Sequence, residues 1–180
     1  RTDLAGAIIR NLGISPRTGQ FSPDVFVSQW KTYTPQAKAI LFGNAGPHRQ
    51  AIDDIALISD RLKQIGAKFG NPSGTAQNVN AYAIATGLVA SPISTVAAAV
   101  GGYGAARVLS SPAGASSFAK WAKALLAVQT QRSPEAQSLF KMASKNLANT
   151  ATSLGVKLNP NDLLRSIQGP MPASADDKNA

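Results

Sequence analysis

The sequence predicts an all-α fold, a compact bundle of about seven to nine helices around a central Ala/Gly-rich helical pair. Three observations carry that expectation. Of the 11 prolines, six that directly follow a Ser, Thr or Asn mark candidate helix starts. Apolar residues recur at helical spacing after most of those pairs. No stretch alternates apolar and polar residues between hairpin turns, so no strand is expected.

The proline pairs are Ser22-Pro23, Thr34-Pro35, Ser91-Pro92, Ser111-Pro112, Ser133-Pro134 and Asn159-Pro160. A Ser, Thr or Asn side chain accepts a hydrogen bond from a free N–H of a first helical turn. Proline at the first helical position has no N–H to lose and a preset φ. Each pair therefore reads as a helix start.

The elements follow in order. The first helix spans about residues 3–12. The second runs from Pro23 to Lys31 and the third from Pro35 to Phe42, stopped by Gly43. The fourth covers about 47–65, with Ile52, Ile55, Ser59, Leu62 and Ile65 on one stripe and Asp53, Asp54, Asp60, Arg61 and Lys63 elsewhere. A Gly70–Gly74 break precedes a fifth helix over about 76–90. The sixth covers Pro92–Leu109, the seventh about 112–129, the eighth 134–153 and the ninth Pro160–Ile167. Phe118, Trp121, Leu125 and Val128 form the core stripe expected of the seventh; Leu139, Ala143, Asn146/Leu147 and Leu154 that of the eighth.

Residues 1–168 read as one helical domain. Residues 169–180, rich in Pro, Ala, Ser and Asp, read as a flexible tail. The chain opens on Arg1 with helical spacing already under way, so it reads as a piece of a longer polypeptide. No signal peptide is recognisable at its start.

Composition excludes several chemistries. The 180 residues contain no Cys, one His and one Glu. Disulfide scaffolds, thiolate metal sites, Cys nucleophiles and multi-His metal centres are ruled out. His48 at a helix start reads as a satisfied surface residue. Glu135 reads as a first-turn acid placed for the helix dipole. Gly101-Gly102-Tyr103-Gly104 lacks the Lys-Ser/Thr of a P-loop. No catalytic residue, metal site or cofactor is expected, and the chain reads as a non-enzyme.

The formal net charge is +9. No charged residue stands between Lys68 and Arg107, so two basic flanks enclose a neutral centre. Its heart, Ala81–Ala106, sets Val96 and Val100 beside small residues Ala97, Gly101 and Gly104. Such a face lets helices approach closely, within a bundle, between copies or in a membrane. Leu, Ile and Phe drive membrane insertion, and those 26 residues hold one Leu, two Ile and no Phe. That favours a buried pair over a membrane-inserting hairpin. Val96, Ala97, Val100, Gly101, Gly104 and Trp121 are the candidate packing, oligomer or membrane face. Arg107, Lys120, Lys123, Lys141 and Lys145 are the candidate nucleic-acid or anion contacts. No recognition-helix signature accompanies them, so any DNA contact is expected to be non-specific.

Leu41-Phe42-Gly43, Asp53-Asp54-Ile55-Ala56, Asn71-Pro72-Ser73-Gly74-Thr75, the Ala/Gly-rich stretch and the Ser-Pro-Ala helix with Trp121 together resemble a known kind of module. It is a helical segment of large phage and prophage proteins of proteobacteria, of the internal virion or DNA-ejection type. The resemblance covers about residues 21–126. Some such proteins carry a lytic transglycosylase domain, and no catalytic residue of that domain matches here. The resemblance implies a structural virion segment that assembles with itself or with other virion proteins and aids genome delivery. It implies location in the virion and, after ejection, in the host envelope, with DNA and the host membrane as further partners. A basic domain binding DNA non-specifically and a membrane-inserting hairpin are the alternatives.

Overall fold

The computed structural model describes residues 2–42, 46–70, 92–131, 133–165 and 167. Among them stand eight helices: α1 Thr2–Gly13, α2 Pro23–Thr32, α3 Pro35–Phe42, α4 Gly46–Gly70, α5 Pro92–Ser110, α6 Pro112–Gln131, α7 Pro134–Ser153 and α8 Pro160–Arg165. The described residues contain no strand, only an isolated bridge between Ile14 and Phe21 in the α1–α2 connection. The fold is an all-α multi-helix bundle. The predicted fifth helix and the predicted tail lie outside the described residues.

All six prolines expected at helix starts are there. The hydroxyl of Thr34 accepts from Ala37 N at 3.2 Å, and that of Ser133 from Ala136 N at 3.2 Å. Asn159 Oδ1 accepts from Asn161 N at 2.9 Å. Ser22 makes no side-chain cap, so at α2 the proline and Asp24 remain as start signals.

α6 is the hub. It packs along α4 on one side and α7 on the other, and it meets α5. α1 lies across α5 and α2, and α8 folds back onto α7. Trp30, Trp121, Phe26, Phe118 and Phe140 are completely buried in one continuous core. The α4 stripe is as expected: Ile52, Ile55, Ser59 and Leu62 all face inward. Ser59 can sit there because its hydroxyl donates to Ile55 O at 2.8 Å.

Three expectations need correction. The sixth predicted helix is interrupted. Gly101 has φ 74° and ψ 165°, a conformation essentially reserved for glycine, so α5 is two helical pieces joined at a kink. Gly101, Gly102 and Gly104 together lower helix propensity enough to allow it. Second, the inward stripe of α7 is Ala136, Phe140, Ser144, Leu147, Ala148 and Ala151, while Leu139 is 54% exposed. A serine reads as a surface residue, yet Ser144 is buried with full satisfaction. Trp121 Nε1–H donates to its Oγ at 3.1 Å, and its own hydroxyl donates to Phe140 O at 2.8 Å. Third, His48 is buried rather than on the surface.

α6 and α7 run antiparallel. Gly114 sits against Leu154, Ser117 against Thr150 and Trp121 against Ser144. Thr150 already donates to Asn146 O at 2.9 Å, so Ser117 supplies the hydrogen of their 2.9 Å contact. Gly114 is required by the tight turn from α5 into α6: a Cβ there would run into the Val108 carbonyl oxygen.

Candidate functional site

Among the described residues a groove lies between α6 and α7, with a volume of about 680 Å³. That is within the about 300–1,000 Å³ usual for ligand sites. Its origin is a matter of residue size. Ala124 and Ala127 on α6 face Ala143 on α7, and three small side chains leave a trough outside the core. Leu139 and Met142, each 54% exposed, form the wall on the α7 side. Lys120 and Lys123 stand on the α6 rim, and the Ser117–Thr150 contact closes one end. The lining is predominantly apolar under a basic rim.

The two rim lysines differ. Lys123 Nζ lies 2.6 Å from Asp54 Oδ2 on α4, so its charge already has a partner. Lys120 is exposed and makes no ion pair among the described residues. Lys141 and Lys145 are exposed on the outer face of α7, one turn apart and likewise without an ion pair. Arg107 is not with them. It lines a separate cleft with Arg10 and Tyr103. The five candidate anion contacts are thus spread over three places: the groove rim, the outer face of α7 and that cleft.

The small-residue face is largely used within the chain. Val96, Gly104 and Trp121 are buried in the core, so none is a surface for a second copy or a lipid. Ala97 and Val100 are half-buried, and Gly101 is exposed at the kink. Trp121, a member of both the expected core stripe and the candidate packing, oligomer or membrane face, has its indole enclosed between Phe118 and Phe140, with centroids 5.8 and 6.0 Å away. Among the described residues no helix is long and apolar enough to cross a membrane.

His48 has a structural role. Nε2 lies 2.8 Å from Leu109 O, and a carbonyl only accepts, so Nε2 carries the proton. The ring meets Phe42 edge-on at 5.1 Å. Burial pushes its pKa below 6.5, with the carbonyl bond acting in the opposite direction. Among the described residues no three His, Asp or Glu side chains gather as metal ligands. Glu135, at the start of α7, is held below its ordinary carboxyl pKa by a backbone hydrogen bond and by the Ser133 hydroxyl.

Leu139 and Met142 as groove walls, and Arg10 and Tyr103 as cleft residues, were not legible in advance. A signal existed for the groove. Ser117, Lys120, Ala124 and Ala127 are spaced 3, 4 and 3, a second helical stripe beside the core stripe. Set against family models, curated proteins and solved structures, the chain finds no match.

Proposed function

We propose that this chain is a non-enzymatic assembly module of a phage virion or DNA-ejection protein, and that the α6–α7 groove docks an acidic amphipathic helix of another virion protein. The groove supports the docking reading: an apolar trough, walled by exposed Leu139 and Met142, beneath unpaired Lys120. An amphipathic helix lays its apolar face into such a groove. The basic rim selects acidic flanks, and a net charge of +9 disfavours a second copy of the chain as occupant. The virion setting rests on the sequence resemblance.

The absence of cysteine makes the test clean, since Met142→Cys introduces the only thiol for a polarity-sensitive dye. The probe is a synthetic amphipathic helix with Leu on one face and Glu on the other. Its addition should blue-shift the dye. Ala143→Glu and Lys120→Glu should each weaken binding about tenfold, as a buried or reversed charge requires. Equal binding by both variants overturns the groove. Concentration-dependent dimerisation that protects the thiol of Met142→Cys from labelling assigns the groove to a second copy and overturns the acidic partner. The virion setting is tested by mass spectrometry of purified particles, where absence of the polypeptide overturns it.

A further inference from the structure

A second concavity, of about 290 Å³, opens where α1, α5 and the start of α6 meet. Arg10 of α1 lines it together with Tyr103 and Arg107 of α5. Tyr103 and Arg107 stand one helical turn apart and share a face. Among the described residues no Asp or Glu lines this cleft. Both arginines are exposed, and neither makes an ion pair or hydrogen bond among the described residues. Four lysines of other helices do hold a carboxylate. Lys31, Lys38, Lys63 and Lys123 each hold an aspartate of α2 or α4. Two guanidiniums brought to one cleft without a carboxylate repel each other unless an anion joins them. Their planar forks suit a phosphate.

The third residue narrows the ligand. Tyr103 is 66% exposed and makes no ring contact among the described residues. A bare aromatic face beside a phosphate clamp is the pairing that binds an unstacked base. The bases of a duplex are stacked inside and offer no face. The backbone contributes little. Pro112 has no N–H, Gly114 N already donates to Ser111 Oγ at 3.4 Å, and the Ser110 hydroxyl is taken by Ala106 O at 2.6 Å. Arg10, Tyr103 and Arg107 are the charged and aromatic side chains of the lining. The cleft volume lies just below that of whole-ligand pockets, which fits one unit of a strand.

We infer that this cleft binds one nucleotide unit of single-stranded nucleic acid, with the phosphate between Arg10 and Arg107 and the base on the Tyr103 ring. The inference is independent of the groove between α6 and α7.

Fluorescence anisotropy with a labelled oligothymidylate, across about 50 to 200 mM salt, tests it. Each arginine removed should flatten the slope of log affinity against log salt by roughly 0.7, so Arg10→Ala/Arg107→Ala should flatten it by about 1.4. Tyr103→Ala should weaken binding about fivefold or more at unchanged slope, while Tyr103→Phe keeps it. Arg107 Nη2 passes 3.7 Å from the Cβ position of Gly155, just beyond the C-terminal end of α7, where a cation is favourable. Its removal can therefore lower stability. Arg10→Ala and Tyr103→Ala, at residues with no such contact, keep the test decisive. An unchanged slope in Arg10→Ala overturns the proposal, as does a duplex bound as tightly as the single strand. Competitors separate the sources. Thymidine monophosphate competing no better than inorganic phosphate overturns the base contact. Thymidine monophosphate bound as tightly as the oligonucleotide overturns the strand.

Discussion

Two tryptophans, both fully buried, organise two differently built regions of this molecule. Trp30 sits where α2, α3 and α4 meet. Its Nε1–H donates to Asp53 Oδ1 at 2.8 Å, and Lys38 Nζ reaches the same oxygen at 2.8 Å while lying 4.6 Å from the Trp30 ring centroid. Lys31–Asp60 and Lys63–Asp24 add two more ties between α2 and α4. Trp121 sits between α6 and α7, and its Nε1–H donates to a neutral serine. No ion pair joins α6 to α7 among the described residues. One region consumes its charges in joining helices. The other joins helices by packing and neutral hydrogen bonds, leaving Lys120, Lys141 and Lys145 turned outward. That difference is why the candidate docking surface lies on α6 and α7.

The comparison breaks first at its centre. Trp121→Ala should destabilise the chain by about 3–5 kcal/mol, the range for emptying a large aromatic site. Because nothing charged is involved, the loss should be the same at low and high salt in urea unfolding. A loss that shrinks with salt would show that the α6–α7 region depends on charge after all.

A smaller effect sharpens the same region. The Gln129 side-chain amide on α6 is buried, and among the described residues neither its oxygen nor its nitrogen has a hydrogen-bond partner. An unsatisfied buried polar group costs about 1–3 kcal/mol. Gln129→Met keeps the length and removes the amide, so it should raise stability by about 1 kcal/mol. Thermal unfolding should show it as a rise of about 2–4 °C. A fall instead would mean that the amide has a partner this arrangement does not reveal.

Much of the fold was legible because helix starts are local chemistry. Ser133-Pro134 or Thr34-Pro35 declares itself within four residues, and the structure starts a helix at each. The α4 and α6 core stripes were legible for a similar reason: their spacing carries the message. What escaped depended on partners distant in sequence. Ser144 is interior because Trp121, 23 residues away, supplies a donor. His48 is interior because Leu109 O, 61 residues away, accepts its proton. The break at Gly101 could be suspected from its three glycines, but none of them declares which adopts a positive φ. The groove and the cleft arise between helices, so no single stripe contained them.

His48 ties the Trp30 region to α5, bonding the start of α4 to the end of α5, and it gives that junction a pH dependence. Its folded pKa lies below 6.5 because burial disfavours the charged ring. Above 6.5 the imidazole is neutral in both states, and its titration adds nothing. As pH falls through 6.5 the unfolded chain takes a proton that the folded chain resists, so stability drops. The drop levels off below the folded pKa. Urea midpoints between about pH 5 and 8 should show this fall, and His48→Gln should flatten it. Glu135, with its lowered carboxyl pKa, acts in a more acidic range and leaves this window clear. An unchanged slope in His48→Gln would move the effect to another group.

The smallest effect bears directly on whether charge joins the helices around Trp30. A double-mutant cycle on Lys38 and Asp53 isolates their coupling. Lys38→Met keeps the aliphatic stem over the Trp30 ring, so packing is retained while the charge goes. Asp53→Asn keeps an acceptor for the Trp30 N–H. The Lys38 side chain is only 14% exposed but that of Asp53 is 42% exposed, so solvent screens the pair. The coupling should therefore be about 0.2–1 kcal/mol and should shrink as salt rises. Lys120→Ala, Lys141→Ala and Lys145→Ala provide the contrast. Having no ion partners, each should stay within about ±0.5 kcal/mol of the parent and show little salt dependence. Coupling indistinguishable from zero at low salt would reduce the Trp30 region to the same neutral packing as α6 and α7. The distinction would then lie only in where the charges point. A clear coupling there, beside silent lysines on α6 and α7, would confirm that the outward charges are free for a partner.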